Sequence, residues 1–576
     1  MLLGLILILL GYCSLYLATK IVSAIEPNIR ALSLTIEDII VASLSGLSLI
    51  LIIFKIFKIV PTLSSISTVT IALIIITVLL ILIRVKLSKT KIRLQQLNLP
   101  NIQQPRLKYF SLSICIFTLY LLRALFKAKD FSETIYISSR YNTDIFLYLR
   151  RISVFLSAPV ALQHQYDNVS AIDVLYDSPK LLSSLIYAIF TSIFNHPGVA
   201  GTVLTSLILT AIVLKYILLT QNLYYYSKFF SLSLAVYLFF QPALSWLQDQ
   251  FYLSNLLYLY LLIYVGEDLL VTKCTNKTTL KFSLVAIAIS SFYPSQLPFL
   301  LLAIALLILL TKQKISLKIN KIIKIFAISV ITFLIFLPQY LATSEVTQHF
   351  NLTDSQHGVN FVYIPVWSLL NLVPRPGGFK VSLESILLVI FSIAIATIIT
   401  NYLAKRFSTI AKHLYLSNFL YIIYSLSFII FPGSYRQGKF LVTYIIPLII
   451  FCAIQIIMQS KTKKITTVIV ILLAIYVGWN SLDRKYKSHL SQDVRQTIEY
   501  LREQNKPVIT YYNGRDYRFY YLSYQLRKLP LNMISHCPST KELENNTKSN
   551  TIVVMSNGCH KVNPDKVQNE IIPLNL

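Results

Sequence analysis

The chain has 576 residues, of which 55% are hydrophobic and 13% are charged, and its mean hydropathy is +0.64. Because soluble proteins carry roughly 25% charged residues, this composition excludes an ordinary cytosolic enzyme, a disordered protein and a secreted disulfide-rich scaffold. The apolar runs are long and continuous, which favours membrane helices over the alternating strands of a membrane barrel. We therefore expect an α-helical polytopic membrane protein.

The apolar stretches predict about 12–14 membrane helices, since a helix needs about 20 apolar residues to cross a bilayer. The candidate spans are 2–19, 36–54, 68–85, 109–126, 181–195, 199–219, 229–247, 250–266, 282–311, 322–338, 383–403, 411–431, 441–458 and 464–480. The first has no basic region and no small-residue cleavage site, so we interpret it as a retained helix. The stretch 282–311 contains Pro294 and Pro298 and predicts two helices that meet there.

The charge is strongly positive, with 52 Lys and Arg against 24 Asp and Glu and a net charge of +28. The basic residues form short runs between apolar segments, which is typical of cytoplasmic loops, so we expect the bilayer as partner and no nucleic acid. Four such runs, at 84–93, 311–324, 403–413 and 460–464, place the loops 127–180, 339–382 and 432–440 and everything after 480 on the outer face. Between 181 and 266 one segment must fail to cross, and 181–195 is the expected one because it is short.

Three regions follow from these patterns. Residues 1–108 hold the first helices and a basic loop, 109–480 form a transmembrane domain with the outer loop 127–180, and 481–576 form an extracytoplasmic domain. In the last region, an amphipathic helix at 493–504 and a second helix at 515–528 alternate with the short apolar strands 507–512 and 551–556. This alternation predicts a small α/β domain with a parallel sheet. No glycine-rich phosphate loop follows these strands, so nothing indicates a nucleotide site.

Cys537 and Cys559 both lie in this polar C-terminal region. They can form a disulfide if the region faces an oxidising compartment. Pairing cannot be deduced from sequence, so the question stays open here.

Acidic residues concentrate in the outer loop 127–180, which contains Asp130, Glu133, Asp144, Asp167, Asp173 and Asp177. A water-exposed loop is the ordinary place for acids. Asp144 differs because it begins an amphipathic helix and has Tyr148 one turn later. Its carboxylate can serve in catalysis or simply cap the helix, where the macrodipole favours a negative charge.

Four segments carry a family resemblance: TDIFLYLRRI (143–152), the proline-containing 176–194, QPALSWLQDQFYLSNLLYLYLLIY (241–264) and SYRQGKFLVTYIIPLIIF (434–451). Together with a membrane bundle and a C-terminal α/β domain, they resemble the type C (GT-C) glycosyltransferases. The chain is similar in particular to the bacterial protein mannosyltransferase and aminoarabinose transferase group, a glycosyltransferase family 39-like pattern. The resemblance covers about 109–576, and Asp144 follows Thr143 where the family has an acidic pair.

The resemblance implies a GT-C-like fold and transfer of a sugar from a polyprenyl-phosphate donor to a lipid, glycan or protein acceptor. It implies a carboxylate base that accepts the proton of the acceptor, and cations that stabilise the phosphate leaving group. The expected catalytic residues are Asp144 and, in reserve, Asp130. The expected phosphate-binding residues are Arg436, Lys439 and Arg140, whose alternative role is anchoring at the membrane interface. The expected substrate-binding residues are Tyr148, Asp249 and Asp177.

Asp249 is singled out because an acid at a membrane boundary is costly unless it is used or paired. The eight histidines are dispersed, so no metal site is predicted. A divalent ion stays open as a cofactor, because Asp173 and Asp177 are four residues apart and some related transferases use such an ion.

Three alternatives remain, of which one is a non-catalytic membrane subunit. An O-antigen-type polymerase or ligase would also use lipid-linked sugars on the outer face. A polysaccharide or lipid transporter or flippase would require ionisable residues in the middle of spans and two related halves; Arg123 and Lys215, the nearest cases, lie near span ends and can snorkel. We expect a multi-pass protein of a bacterial inner membrane, with the large loop and the C-terminal domain extracytoplasmic, because the resembled group is mainly bacterial.

Overall fold

The structure is a computed structural model of the chain. It describes residues 10–11, 14, 35–72, 74–75, 107–127, 144–156, 163–166, 169–176, 180–223, 228–249, 252–271, 276–311, 313–341, 363–367, 381–430, 435–459, 468, 472, 475–476, 492–512, 519–539, 542, 551–556, 559 and 571–574. The predicted spans 2–19 and 464–480 and the second half of 68–85 lie almost wholly outside these residues.

Helices make up most of the described chain. They are α1 (Ile36–Ile56), α2 (Leu63–Ala72), α3 (Leu107–Lys127), α4 (Asp144–Leu156), α5 (Ala171–Tyr176), α6 (Leu181–Phe194), α7 (Pro197–Leu223), α8 (Lys228–Phe239), α9 (Pro242–Asp249), α10 (Leu253–Val271), α11 (Asn276–Ser290), α12 (Leu297–Leu310), α13 (Ile315–Ile335), α14 (Leu383–Arg406), α15 (Ala411–Ile430), α16 (Tyr435–Phe440), α17 (Ile446–Gln459), α18 (Gln492–Gln504) and α19 (Phe519–Gln525). Short 3₁₀ turns at Pro294–Gln296 and Ser408–Ile410 and a π-helix at Leu441–Ile445 complete them.

Four stretches are long and apolar enough to cross a membrane: Glu37–Ile56, Pro197–Leu219, Leu383–Arg406 and Ser408–Ile430. Five shorter apolar helices accompany them: Leu63–Ala72, Leu181–Phe194, Leu253–Glu267, Pro294–Leu310 and Leu441–Ile456. With the small sheet at the C-terminus, these helices confirm the predicted fold class of an α-helical polytopic membrane protein with a C-terminal α/β region.

Prolines set two helix breaks. The predicted break within 282–311 is confirmed, because α11 ends at Ser290 and a turn at Pro294 leads into α12. The prediction of one continuous helix over 229–247 is wrong: α8 ends at Phe239 and α9 starts at Pro242. Proline has no amide hydrogen for the helix ladder and clashes with the preceding turn, so the chain changes direction there.

The helix α6 has 14 residues. At 1.5 Å per residue it is about 21 Å long, shorter than a hydrocarbon core of about 30 Å. The expectation that 181–195 fails to cross stays a prediction.

Six strands form one sheet in the order β2-β1-β4-β3-β5-β6. They are β1 (Gln165–Tyr166), β2 (Val169–Ser170), β3 (Val508–Tyr511), β4 (Leu531–Ile534), β5 (Ile552–Ser556) and β6 (Ile571–Leu574). The pairs β1–β4, β3–β4, β3–β5 and β5–β6 are parallel, and β1–β2 is antiparallel. The parallel sheet predicted for the C-terminus is therefore present. The sequence did not predict that the outer loop supplies two of its strands.

The disulfide Cys537–Cys559 links the segments that follow β4 and β5, with Cα atoms 5.0 Å apart. Because β3 lies between β4 and β5, the bond crosses the carboxyl end of β3. The disulfide therefore links β4 and β5, the two strands that flank β3.

The sheet marks one end of the helix bundle, which we call the sheet end. The helix α4 packs against α19 of the C-terminal region, and the Tyr148 hydroxyl of α4 lies 2.7 Å from Ser254 Oγ at the start of α10. The helix α10 then runs away from the sheet, so its C-terminus and the start of α11 lie at the other end, which we call the opposite end.

Residues 363–367 of the loop 339–382 lie against α14 and α15. Residues 363–365 have no regular secondary structure, and Val366 and Trp367 form a 3₁₀ turn. The amide of Ile364 donates to Tyr424 Oη at 3.1 Å, and its carbonyl oxygen accepts from Tyr421 Oη at 3.1 Å. The amide of Val366 donates to Ser392 Oγ at 2.8 Å. Side-chain hydroxyls of two helices therefore take the place of the missing helical ladder.

This segment lies deep in the bundle. Ser392 is nine residues into α14, which begins at the sheet end, so it lies about 14 Å below that helix start. Irregular backbone at membrane depth is tolerated where protein groups satisfy it. Tyr363 and Ile364 are buried there. Residues 363–367 thus lie inside the bundle, well below its sheet end.

We expect Tyr421→Phe to destabilise the protein by about 1–3 kcal/mol, because a buried carbonyl and two hydroxyls lose their partner. Tyr421 Oη contacts the Ile364 carbonyl and Ser392 Oγ. The free energy of unfolding in mixed micelles with increasing SDS measures this. Tyr415→Phe, at an exposed position of the same helix, is the control and should leave stability unchanged; equal effects of both variants would contradict the role of the hydroxyl.

A buried histidine joins the outer loop to the C-terminal region. His164 Nε2 lies 2.8 Å from the carbonyl oxygen of Leu529, just before β4. Burial lowers the pKa of His164 below its usual 6.5, against the opposing effect of the Leu529 and Leu526 carbonyls. The folded protein therefore holds this imidazole neutral.

Because the unfolded chain binds the proton more readily, the free energy of unfolding should decrease as the pH drops below about 6.5. Above that pH, the contribution of His164 to stability should be fully present. We expect His164→Gln to flatten this decline in melting temperature between pH 7.5 and 5. His536→Gln, at an exposed histidine, should keep the wild-type pH profile. A wild-type profile in His164→Gln would show that another group is responsible.

Candidate functional site

A cluster of charges lies at the sheet end of the bundle. Asp249, the last residue of α9, accepts from Arg123 Nη2 at 3.1 and 3.2 Å and from Lys127 Nζ at 2.5 Å. Arg123 is 3% exposed and Lys127 is 2% exposed, whereas the Asp249 side chain is 18% exposed. Two buried cations therefore converge on one carboxylate that reaches the surface.

Local structure explains this convergence. Arg123 and Lys127 are four residues apart in the last turns of α3, so both side chains lie on one face of the helix. The break before Pro242 creates the short helix α9, which ends at Asp249. Gln248 Nε2 donates to Ser206 Oγ of α7 at 3.1 Å, which fixes the end of α9 against the bundle.

Among the described residues, the cluster joins two cations and one carboxylate. Arg123 Nη1 and Gln248 Oε1 are buried and have no hydrogen-bond partner within the described residues. Buried polar atoms in proteins normally have a protein, water or ligand partner. An anionic group at the cluster could accept a hydrogen bond from Arg123 Nη1, whereas Gln248 Oε1 requires a donor.

A hydroxyl network links this cluster to α4. Tyr148 Oη lies 2.7 Å from Ser254 Oγ and 3.3 Å from Ser183 Oγ, and the two serines are 3.0 Å apart. Ser254 follows Asp249 by five residues, and Tyr148 follows the first residue of α4, Asp144, by one turn. The start of α10 thus connects the helix that begins at Asp144 with the charge cluster.

The π-helix brings a third element to α10. Tyr444 Oη lies 2.5 Å from Tyr258 Oη and 2.9 Å from Gln296 Oε1. Tyr258 is one turn after Ser254 on α10, and α16 directly precedes the π-helix. The segment that contains the predicted cations Arg436 and Lys439 therefore approaches the same helix.

Of the predicted site residues, Asp249 and Tyr148 are described with their side chains, and both lie at the sheet end. Asp144 begins α4, and Arg436 and Lys439 lie in α16, but their side chains fall outside what the structure describes. Asp130, Arg140 and Asp177 lie outside the described residues altogether. The roles of all eight stay predictions.

Sequence reasoning missed Lys127 and interpreted Arg123 as an interfacial anchor. The available signal was the spacing of two cations by one turn at the end of an apolar helix. That spacing alone does not distinguish snorkelling from pairing, because the partner Asp249 is 126 residues away in the sequence.

A second ionic network lies at the opposite end, where its charges balance. Lys215 pairs with Glu37 and with Glu267, the latter at 2.6 Å. Three lysines and three acids take part in all: Lys215, Lys277, Lys281, Glu37, Asp38 and Glu267. This network joins α1, α7, α10 and α11. Among the residues that the structure describes, its cations and acids are equal in number, so we regard the sheet-end cluster as the candidate site.

Among the described residues, no group of three His, Cys, Asp or Glu could hold a metal ion. The fold and the cluster together define an integral membrane protein with a cationic, partly exposed site at its sheet end.

No family model matches the chain, and no curated protein matches it in sequence. Among solved structures, it is similar to the crystal structure of the Archaeoglobus fulgidus oligosaccharyltransferase in the apo form, with a TM-score of 0.43 and 11% identity over 76% of this chain. The chain covers 66% of that structure, just under two thirds of its length. Similarity at this level assigns neither a family nor an activity.

We expect Asp249→Asn to destabilise the protein by about 3 kcal/mol, because Arg123 and Lys127 would remain buried without a counter-charge. This is the lower end of the usual range, since the Asp249 side chain is partly exposed. The free energy of unfolding in SDS mixed micelles measures the loss. Adding Lys127→Met to Asp249→Asn should restore part of it, and Glu499→Gln, at an exposed acid of α18, should change little. No recovery in the double variant would contradict the charge argument.

Proposed function

We propose that the chain is an integral membrane glycosyltransferase that moves a sugar from a polyprenyl-phosphate donor to a lipid, glycan or protein acceptor. The observation that carries this proposal is the pair of buried cations, Arg123 and Lys127, at Asp249 on the rim of the bundle. The motif resemblance to type C glycosyltransferases in 143–152, 241–264 and 434–451 supports it.

The cluster suits the departing lipid phosphate. When the bond from the anomeric carbon to the phosphate oxygen breaks, the polyprenyl phosphate gains negative charge, and fixed cations stabilise this charge best where water is excluded. Arg123 and Lys127 supply such cations, and the resemblance adds Arg436 and Lys439. Asp249 holds the two buried cations in place while its exposed side stays open to substrate.

The acceptor needs a base. Its hydroxyl or amine loses a proton as it attacks the anomeric carbon, and a carboxylate within hydrogen-bond reach can accept that proton. We assign this role to Asp144, with Asp130 in reserve. Support comes from the position of Asp144 one turn before Tyr148, whose hydroxyl network reaches the start of α10 beside Asp249.

We infer that the sheet end faces outward from a bacterial inner membrane. The disulfide Cys537–Cys559 supports this orientation, because disulfides persist in oxidising compartments. The basic runs 311–324 and 403–413 flank helix ends at the opposite end, which fits the positive-inside rule.

The test is sugar transfer in proteoliposomes. Purified protein is supplied with undecaprenyl phosphate-linked hexoses and pentoses that carry a radiolabel, together with a membrane-lipid extract as acceptor. We expect Asp144→Asn to reduce transfer about 10²–10⁴-fold, the usual contribution of a general base. Asp144→Glu should retain part of the activity.

Glu499→Gln is the matched control for removal of one exposed carboxylate, and it should transfer at the wild-type rate. Transfer at the wild-type rate by Asp144→Asn would reject the assigned base. Movement of the labelled lipid across the bilayer without any transfer would reject the enzyme and favour a flippase.

A further inference from the structure

A cationic patch with no acidic counterpart lies at the opposite end of the bundle. It comprises Lys314 and Lys318 at the start of α13, Lys405 and Arg406 at the end of α14, and Lys412 at the start of α15. In the described stretches 297–341 and 381–459, Glu384 is the one acid, and it lies at the sheet end of α14. We call these five residues the basic patch.

Two lysines of the patch meet at the end of α12. Lys318 Nζ donates to the Leu309 carbonyl at 2.7 Å, and Lys412 Nζ donates to the Leu310 carbonyl at 3.5 Å. The last carbonyls of a helix carry partial negative charge, which attracts cations. This contact draws α12, α13 and α15 together and holds two ammonium groups side by side without a neutralising carboxylate.

Beside the patch, two buried polar atoms lack partners. His413 Nδ1 and Gln455 Nε2 have no hydrogen-bond partner within the described part of the chain, and Gln455 is 2% exposed. Such a group costs several kilocalories per mole in a bilayer unless something satisfies it, because lipid tails offer no partner. A missing polar partner is therefore indicated.

The two side chains lie at the same level. The helices α15 and α17 run antiparallel, with Ser417 Oγ 3.8 Å from Cys452 Sγ and the rings of His413 and Phe451 5.4 Å apart. His413 and Gln455 are each about one turn from the Ser417–Cys452 contact toward the opposite end. His413 directly follows Lys412 of the basic patch in the sequence, and Gln455 lies at the level of His413 on the antiparallel helix α17.

The surroundings of the patch are apolar and exposed. Tyr402, Tyr415, Leu309 and Ile315 present large side chains at the surface near the cations. Aromatic side chains of this kind lie at membrane–water interfaces, and the apolar ones face acyl chains. A molecule that satisfies the whole region must therefore combine an anionic head with apolar tails.

We propose that this end of the protein binds an acidic phospholipid. The phosphate lies among Arg406, Lys412 and the other cations of the basic patch, and an oxygen of the headgroup or glycerol ester accepts a hydrogen bond from Gln455 Nε2. The acyl chains cover the exposed apolar side chains between α12, α13 and α15. This site is separate from the sheet-end cluster and does not depend on the proposed transfer reaction.

The test measures lipid binding to the purified full chain in neutral detergent. The probes are NBD-labelled phosphatidylglycerol and, with the same label and chains, phosphatidylcholine. We expect phosphatidylglycerol to bind more tightly. Each surface cation contributes about fivefold to binding of an acidic lipid, so Arg406→Ala/Lys412→Ala should weaken it about 25-fold. The double variant Lys506→Ala/Lys528→Ala removes the same charge from the C-terminal region and should bind as the wild type.

The variant Gln455→Leu tests whether the lipid binds at a defined site or only to a positively charged surface. We expect it to weaken phosphatidylglycerol binding several-fold without lowering the melting temperature in neutral detergent, because it removes an amide that lacks a partner there. An unchanged affinity in Gln455→Leu would overturn the assignment of the amide.

Three further results would overturn the proposal as a whole. They are equal binding of the two labelled lipids, an equal loss in the Lys506→Ala/Lys528→Ala variant, and full competition by glycerol phosphate without acyl chains. The last result would identify a free phosphate as the ligand.

Discussion

A bilayer offers no hydrogen-bond partner to a charge or to an irregular stretch of backbone, and this constraint organises the whole molecule. Charged side chains gather at the two ends of the bundle, where other protein groups meet them. At the opposite end, three lysines and three acids neutralise one another. At the sheet end, Asp249 meets two cations, so charge is left over. Because the bilayer offers no partner for a charge, the ionic network at the opposite end serves structure, and the cluster at the sheet end is suited to bind an anion.

Contacts between distant parts of the chain build the sheet end. The outer loop gives β1 and β2 to a sheet whose other strands come from residues 508–574. His164 reaches Leu529 across 365 residues, and α4 packs on α19. The C-terminal region is therefore not an appendage, because it completes its sheet with the loop whose helix begins at Asp144. Movement of either part would therefore move the other.

Composition and periodicity were enough to predict a helical membrane protein, the break near Pro294 and a parallel sheet at the C-terminus, since each depends on local pattern. Composition and periodicity did not predict the helix break before Pro242, because the continuous hydropathy of 229–247 indicated a single helix. They also failed to find Lys127 and the strands at Gln165 and Val169, because two-residue strands have no periodicity and pairing across 122 residues has no local signal. The sequence also did not predict that residues 363–367 lie deep in the bundle. The hydroxyls that stabilise this segment come from α14 and α15, and such pairing has no local signal in the sequence.

The net charge of +28 has two separate causes. In the orientation proposed above, the exposed cations at the opposite end follow the positive-inside rule. It does not account for Arg123 and Lys127, which are buried and lie at the end that carries the disulfide-linked sheet. A buried ion pair is seldom the most stable solution, since apolar residues of similar volume usually do as well. In the proposed function, Arg123 and Lys127 are retained because they stabilise the phosphate leaving group, and Asp249 holds them in place.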